Sequence, residues 1–334
     1  MNCDYKPPSI GPEDLLIVVA SEQDRPLLEP LLTNLFDWVV HTPAPEQLLK
    51  IKWVDPIDFE DYRKYHNLIV ASLSNPVDST GDILARHILG SERVTAALEG
   101  GNPVFTAANY LAKGQIFMGI TAHSAVHARE ELDRLKYWIL EQFDQQIRVR
   151  QEAIVFKYRD EVKLTNELHE AYGFRMRFQH GYIKVKERAE KDFVWLGRGY
   201  PYRWLAVHWI DKADTLHLTR DYCWDRMDYI ADELFADIFV DSMFRSSDPA
   251  FQNEHEILIL RGIWGHRTQT AGGPFVTYIF RDKRQNRVYF VTGIVFHPSG
   301  SKAMLLKRLE VMMRTMHTFD EPPLKSYNGR DSLT

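Results

Sequence analysis

Apolar and polar residues alternate in short blocks over the first 121 residues. The runs 14–21 and 66–73 are almost wholly apolar, which predicts two buried strands, and 49–56 alternates like a third strand. Apolar residues recur at helical spacing over 26–39, and two short helices are predicted over 82–98. This order of strands and helices is typical of a small α/β unit, which we place at residues 13–121.

The longest pattern in the chain runs from residue 122 to residue 172, without glycine or proline. Its intervening positions are mostly charged or glutamine, and its apolar positions are Leu132, Leu135, Ile139, Phe143, Ile147, Ile154 and Val162. The spacing predicts one amphipathic connecting helix, straight or kinked, of about 70 Å if continuous. One stripe would pack on a domain, and the other face would meet solvent or a partner.

After Gly173 the apolar period changes from helical to two, which predicts antiparallel strands. Strand-like runs recur between residues 174 and 210 and again between 255 and 298. Helices are predicted from Thr219 to about residue 244 and over 301–317. We therefore expect an α+β domain over 173–319 with its helices on one face of an antiparallel sheet. A lead at 1–12 and a flexible tail at 320–334 complete the predicted organisation.

Composition narrows the class of protein. The 334 residues are 45% hydrophobic and 26% charged, which is enough for two domains with cores. The net charge of -5 gives no electrostatic support for nucleic-acid binding. No apolar run reaches the roughly 18 residues of a spanning helix. Two cysteines exclude a disulfide framework, and Cys223 reads as a small buried apolar residue.

The segment from Arg261 to Phe275 raises the clearest question about chemistry. Gly272, Gly273 and Pro274 could form the rim of a binding site or a structural bend. Phosphate loops open onto a helix, whereas these glycines precede a β-rich run, so we favour a bulge or tight turn. Arg261 would then stack on Trp264 or pair with an acid such as Asp282. The alternative is an anion-binding arginine on an exposed rim.

Other motifs for chemistry are weak. His123 and His127 have the i, i+4 spacing that can place two imidazoles on one metal, but no third ligand can be named. The usual nucleotide-binding and serine-nucleophile patterns are missing from the sequence. We therefore predict no cofactor, no metal and no catalytic residue.

Three stretches together resemble a family of uncharacterised bacterial envelope lipoproteins, classed as a domain of unknown function. The first runs from LRGIWGHRTQTAGGPFV to the final LKRLEVMM, the second is FRMRFQHGYIKVKERAEKDFVWLGR, and the third is the lead CDYKPPSIGPEDLLIVVA. The resemblance implies a lipid on Cys3, membrane anchoring through that lipid, and an envelope location facing the periplasm or the outer surface. It implies no activity.

The leading hypothesis is a non-enzymatic envelope protein that binds, or serves as an accessory subunit of, a larger protein assembly. The first alternative is a hydrolase or carbohydrate-acting enzyme with an inter-domain site, for which His180, Arg261, His266 and Asp282 are the first suspects. The second alternative is a cytoplasmic adaptor that begins at Met1.

Overall fold

A computed structural model describes residues 5–73, 79–252 and 255–318 of the chain. The chain divides into two compact units. The first unit comprises Met1–Val39 and Gln47–Arg150, and the second comprises Val40–Glu46 and Gln151–Thr334. A short piece near residue 40 thus belongs to the second unit, which the sequence alone did not suggest. Cys3 and the tail at 320–334 lie outside the described residues.

The first unit is built on a five-stranded sheet in the order β4-β1-β5-β7-β6. The strands of its region are β1 Leu15–Val19, β2 Val39–Val40, β3 Glu46–Gln47, β4 Lys50–Val54, β5 Asn67–Leu73, β6 Val104–Ala108 and β7 Ile116–Ala122. All pairings in the sheet are parallel except that between β6 and β7. Every residue of β5 and β7 is buried, because a parallel strand at the centre of such a sheet is covered on both faces.

The helices of this part of the chain are α1 Arg25–Leu35, α2 Phe59–Tyr62, α3 Ser79–Leu89, α4 Ser91–Leu98 and α5 Ala125–Val155, with a 3₁₀ turn at Pro56–Asp58. The strands at 14–21 and 66–73 and the short helices over 82–98 lie where the apolar pattern predicts them. Within the described ranges, no helix combines the length and apolar composition that a bilayer crossing requires.

The predicted connecting helix is divided in the structure. Helix α5 ends at Val155, and α6 Val162–Tyr172 begins after an irregular segment. Helix α6 ends on Gly173, which adopts a left-handed conformation (φ 77°). The apolar stripe looked continuous because both helices are amphipathic. Arg177 explains part of the interruption, since it pairs with Asp160 at 2.7 Å and covers the Phe156 ring. These contacts hold the intervening residues in a non-helical path.

The second unit contains an antiparallel sheet in the order β11-β13-β14-β15-β10-β9-β8, and β12 also pairs with β13. Its strands are β8 Ile183–Arg188, β9 Phe193–Arg198, β10 Tyr202–Asp211, β11 Ile238–Val240, β12 Ser246–Gln252, β13 His255–His266, β14 Gly272–Asp282 and β15 Arg287–Phe296. Helices α7 Arg220–Tyr229 and α8 Ala303–Met313 and 3₁₀ turns at Ala189–Lys191 and Ala213–Thr215 complete the unit. The predicted α+β class is confirmed.

The helix predicted from Thr219 to about residue 244 is shorter than expected and changes type. Thr219 caps α7 by accepting a hydrogen bond from the Tyr222 N–H, as the pattern predicts. From Ile230–Ala236 the chain forms a π-helix, and it then enters β11. The helix ends because Ala236 (φ 65°) and Asp237 (φ 59°) are left-handed. Neither residue is glycine or proline, so the sequence did not predict the end of the helix at this point.

Helices cover both faces of the second sheet, where the sequence predicted one. Alternate residues of β10 enter different cores: Leu205 and Val207 pack with α6 and α8, and Ala206 packs with α7. Strands β14 and β15 are buried along most of their length for the same reason. We call these the α8 face and the α7 face.

Candidate functional site

The Gly272–Gly273 pair lies inside a strand pair and not in a bend. Gly272 is opposite Gly265, and Gly273 is opposite Trp264, in a regular antiparallel register between β13 and β14. Neither glycine has a left-handed φ. The bulge or tight turn that the sequence favoured is therefore absent at this pair, and the chain reverses over residues 267–271 instead.

Close packing explains the glycines. A Cβ placed on Gly273 would overlap the Val295 carbonyl oxygen, and one on Gly272 would lie 2.8 Å from the Trp264 carbonyl oxygen. The Trp264 indole lies over Gly273 and donates from Nε1 to the Val295 carbonyl oxygen at 3.2 Å. Gly273 thus allows a buried tryptophan to lie against the sheet, in the way that aromatic residues pack over strand glycines.

Trp264 forms one wall of a cavity of about 250 Å³ on the α7 face, which we call the aromatic pocket. The pocket is lined by Trp195, Trp204, Phe235, Ala236, Ile238, Trp264, His266, Gln269, Ala271, Ile294 and Phe296. These residues come from β9, β10, the π-helix, β11, β13, the loop after β13, and β15. Three tryptophans from three strands therefore converge on one cavity.

The aromatic rings of the pocket are held by edge-to-face contacts. Trp195 meets Trp204 with ring centroids 5.7 Å apart at 83°, and meets Phe235 at 5.0 Å and 77°. Trp264 meets Trp204 at 5.9 Å and Phe296 at 6.0 Å, again with inclined planes. Such pairs are favoured by the ring quadrupoles, so these contacts stabilise the arrangement of the pocket walls.

The pocket presents hydrogen-bond donors. Trp195 Nε1 is buried and has no hydrogen-bond partner among the residues that the structure describes. His266 Nδ1 accepts from the backbone N–H groups of Thr268 (3.2 Å) and Gln269 (3.3 Å), which places the imidazole proton on Nε2. An unsatisfied buried donor costs about 1–3 kcal/mol. A ligand that carries an acceptor would remove that cost.

The backbone beside the pocket is unusual. Phe235 and Ala236 end the π-helix and line the cavity, and Ala236 and Asp237 are consecutive left-handed residues that are not glycine. Short π-helical segments and sparsely populated backbone conformations are concentrated at functional sites. This strain is an independent reason to regard the cavity as functional.

An aromatic surface continues outward from the pocket. Tyr202 stacks on Trp204 at 5.8 Å and on Phe296 at 6.1 Å. Tyr200 meets Tyr202 edge-to-face at 6.0 Å, and these two tyrosines are 60% and 40% exposed. The pocket therefore opens beside an accessible apolar rim.

Arg261 lies on the other face of the sheet from the pocket. It is opposite Val276, which belongs to the core of the α8 face, and its Nη2 lies 3.0 Å from Glu310 Oε1 on α8. The sequence proposed Trp264 or Asp282 as partners. The structure provides Glu310 instead, because the closing helix packs over this face.

Besides Arg261, the residues named for the enzyme hypothesis lie in three different places within the second unit. His180 is largely exposed, with Nδ1 2.8 Å from Glu161 Oε1. Asp282 is buried and accepts from the backbone N–H groups of Arg284 (2.7 Å) and Gln285 (3.2 Å), so it holds the β14–β15 turn. Only His266 lines the aromatic pocket.

The histidine pair of the first unit is stacked, with ring centroids of His123 and His127 4.4 Å apart. In the part of the chain that the structure describes, no three histidine, cysteine, aspartate or glutamate residues are grouped as metal ligands. The lipidation candidate Cys3 lies outside the described residues.

A buried histidine on the α7 face is held neutral. His208 Nε2 accepts from Arg226 Nε at 3.0 Å, so Nδ1 carries the proton and donates to the Asp192 carbonyl oxygen at 3.0 Å. Burial and then the Arg226 charge lower the pKa of His208 to about 4. This residue supports the sheet and does not line the pocket.

Four aromatic residues of the pocket were not predicted from the sequence as site residues: Trp195, Trp204, Phe235 and Phe296. The sequence feature that could have identified part of the pocket is the presence of Trp195 and Trp204 on either side of the turn at 199–201. An antiparallel hairpin places such residues near one another. Phe235 and Phe296 carried no local signal, since their proximity depends on the π-helix and on the β10–β15 register.

Residues 161–315 match the family described as a domain of unknown function, DUF4837. All the residues that line the aromatic pocket fall within this match. The search of curated proteins found no match.

Solved structures with similarity to the chain include the Saccharomyces cerevisiae Ran-binding protein Mog1p, at 10% identity and a TM-score of 0.30, and a mutant of Mog1, at 10% identity and 0.31. Each similarity covers 44% of this chain and 90% of the other. A protein from Bacteroides thetaiotaomicron VPI-5482 matches at 9% identity and a TM-score of 0.27, covering 45% of this chain and 47% of its own. Similarities of this size indicate no specific function.

Proposed function

We propose that the protein is a non-enzymatic binding or accessory subunit, and that its aromatic pocket accepts an apolar side chain of a partner protein. The observation that carries the proposal is the aromatic pocket together with the buried N–H of Trp195, which has no hydrogen-bond partner among the described residues. A main-chain carbonyl next to the inserted side chain would accept this hydrogen bond.

The size and lining of the pocket support an apolar group. A dry apolar cavity of about 150 Å³ accommodates benzene in another protein, so 250 Å³ is enough for an aromatic or branched aliphatic side chain. A sugar would bring several hydroxyl groups, and the mainly apolar lining offers few partners for them. Among the described residues of the lining, His266 is the one ionisable side chain, and a hydrolase needs more than one positioned group.

The energetics favour an anchor within a larger interface. Burying one apolar side chain contributes about 1.5–3 kcal/mol. Satisfying the Trp195 donor recovers about 1–3 kcal/mol. A millimolar dissociation constant already requires about 4 kcal/mol, so the pocket alone binds weakly. The exposed rim of Tyr200 and Tyr202 would add contact area of the kind that protein interfaces use.

The direct test is titration with N-acetyl-phenylalaninamide, with N-acetylglycinamide as the control that lacks the side chain. The indole N–H signal of Trp195, assigned with Trp195→Phe, should shift with the first compound and not with the second. Ala271→Phe should fill the pocket and abolish the shift, whereas Thr270→Phe on the exposed neighbouring position should not. Equal shifts with both compounds, or no shift, would refute the proposal.

The envelope location is a separate part of the proposal and rests on the resemblance of the lead and of the C-terminal block. Intact mass spectrometry of the protein from its own cell should find a diacyl or triacyl adduct on Cys3. An unmodified Met1 or Asn2 at the N-terminus would contradict the location and would favour the cytoplasmic adaptor. Either result leaves the pocket titration unaffected.

A further inference from the structure

Two arginines face each other across a strand pair of the second sheet. Arg198 at the end of β9 is the register partner of Arg203 at the start of β10. Arg203 is only 5% exposed, and Arg198 is half-buried. Like charges directly opposite each other on antiparallel strands are destabilising, so this arrangement requires compensation.

Among the residues that the structure describes, the hydrogen-bond acceptors of the buried Arg203 are neutral. Arg203 Nη1 donates to Gln179 Oε1 at 3.2 Å, and its Nε donates to the Pro201 carbonyl oxygen at 3.3 Å. Over the described ranges, neither Arg203 nor Arg198 has a carboxylate within salt-bridge distance. A buried charge without a counter-charge is costly.

The electrostatic surroundings of Arg203 are cationic. Burial lowers the pKa of Arg203, the Tyr182 hydroxyl opposes this, and the charges of Arg198 and Arg308 lower the pKa further. Arg308 lies on α8. Arg203 is on the same face of the sheet as Leu205, the α8 face, because residues two apart on a strand share a face. The positive charges of Arg198 and Arg308 therefore both act on the Arg203 guanidinium.

An unused donor lies in the same region. Tyr182 is 2% exposed, and its hydroxyl has no hydrogen-bond partner among the described residues. Burial raises the pKa of Tyr182, while Arg203 and Arg198 act in the opposite direction, so the hydroxyl stays protonated at neutral pH. Among the described residues this hydroxyl is therefore a donor without an acceptor, within electrostatic reach of Arg203 and Arg198.

We propose that Tyr182, Arg198 and Arg203 form a binding site for a phosphate monoester. A phosphate dianion offsets both arginine charges, whereas a carboxylate offsets one. The planar guanidinium groups match phosphate oxygens in two-point contacts, and the tyrosine hydroxyl serves another oxygen. The site lies on the opposite face of the sheet from Trp204 and the aromatic pocket, so it is independent of the function proposed above.

The test uses inorganic phosphate, glycerol 3-phosphate and acetate, each titrated at constant ionic strength while thermal unfolding is followed. Both phosphates should raise the unfolding midpoint saturably, and acetate should not. Arg198→Gln and Tyr182→Phe should each weaken the phosphate effect by roughly tenfold or more, as the loss of a charge-assisted hydrogen bond does. Arg220→Gln, on an exposed position with the same charge change, should behave like the parent.

The ligand-free variants provide a readout that a purely structural arginine would not give. Arg198→Gln should raise the midpoint of the ligand-free protein, because it removes the repulsion from Arg203. Tyr182→Phe should leave the midpoint unchanged or raise it, since the lost hydroxyl had no hydrogen-bond partner within the described ranges. A lower midpoint for Arg198→Gln, an equal effect of acetate, or no phosphate effect in the parent would overturn the proposal.

The source of the phosphate group is decided by vesicle co-sedimentation. Binding to vesicles that contain phosphatidic acid, with loss in Arg198→Gln and competition by glycerol 3-phosphate, would identify a lipid headgroup. Saturation by the soluble esters without vesicle binding would identify a free phosphate ester. Both outcomes support the site.

Discussion

Acidification should destabilise the second unit through His208. This side chain is 2% exposed, and burial followed by the charge of Arg226 lowers its pKa from 6.5 to about 4. The unfolded chain therefore takes up a proton at this residue below about pH 6.5, while the folded protein does not until about pH 4. Proton uptake by the unfolded state alone favours unfolding.

The size of the effect follows from the shift. The stability contributed by His208 is fully present above about pH 6.5 and is lost as the pH falls toward 4, at about 1.4 kcal/mol per pH unit. Over the whole window the loss is about 3 kcal/mol, which is a large share of the 5–15 kcal/mol stability of a typical domain. Below about pH 4 this residue adds no further loss.

The assay is urea unfolding of the parent, His208→Gln and His217→Gln at intervals from pH 7.5 to pH 4. His208→Gln should be less stable at pH 7.5, by about 1–3 kcal/mol, because the bond to the Asp192 carbonyl is lost. Its stability should fall more slowly with pH than that of the parent. His217 is exposed, so His217→Gln should keep the parental slope.

The comparison between variants isolates His208, because carboxylates titrate in all three proteins. Parallel pH profiles for the parent and His208→Gln would refute the reasoning, since both proteins would then bind the same number of protons on unfolding. A parental stability that stays flat between pH 6.5 and 4.5 would refute it as well.

Two further predictions concern packing and helix capping. Gly273→Ala should destabilise the protein by about 1–3 kcal/mol and weaken N-acetyl-phenylalaninamide binding, because the new methyl group overlaps Val295 and displaces Trp264. Urea unfolding measures the loss of stability, and NMR titration measures the loss of binding. The control Gly199→Ala, which has open space around the new methyl group, should change neither stability nor binding. Glu46→Gln should cost about 1–2 kcal/mol, because the Glu46 carboxylate accepts from the first N–H groups of α8 at 2.7 and 3.1 Å. Thermal unfolding checks this, and a midpoint equal to that of the parent would contradict the capping role.

The local pattern predicted most elements because each depends on nearby residues. Strands β1, β5, β10 and β15 follow from apolar runs, and α8 follows from helical spacing over 301–317. The change of period after Gly173 marks the start of the antiparallel sheet. These signals arise because a helix or strand buries one or two of its faces. The buried positions then recur along the chain with the period of that element.

The pattern failed where backbone conformation overrode it. Residues 230–244 suit a helix by spacing, yet the chain forms a π-helix, reverses at Ala236 and Asp237, and enters β11. The left-handed conformation of Ala236 and Asp237 could not be predicted from the types of these residues. Their conformation is selected by the packing of Phe235 against Trp195 and Phe193, which only the assembled unit provides.

The sequence by itself determined the α+β class and the positions of most strands. Only the tertiary structure decided that Gly273 makes room for an indole, that Arg261 reaches Glu310, and that tryptophans from three strands enclose one cavity. It also placed Arg198 opposite Arg203. The physical reason is that strand register and helix packing bring together residues far apart in the chain, and no local period encodes that pairing.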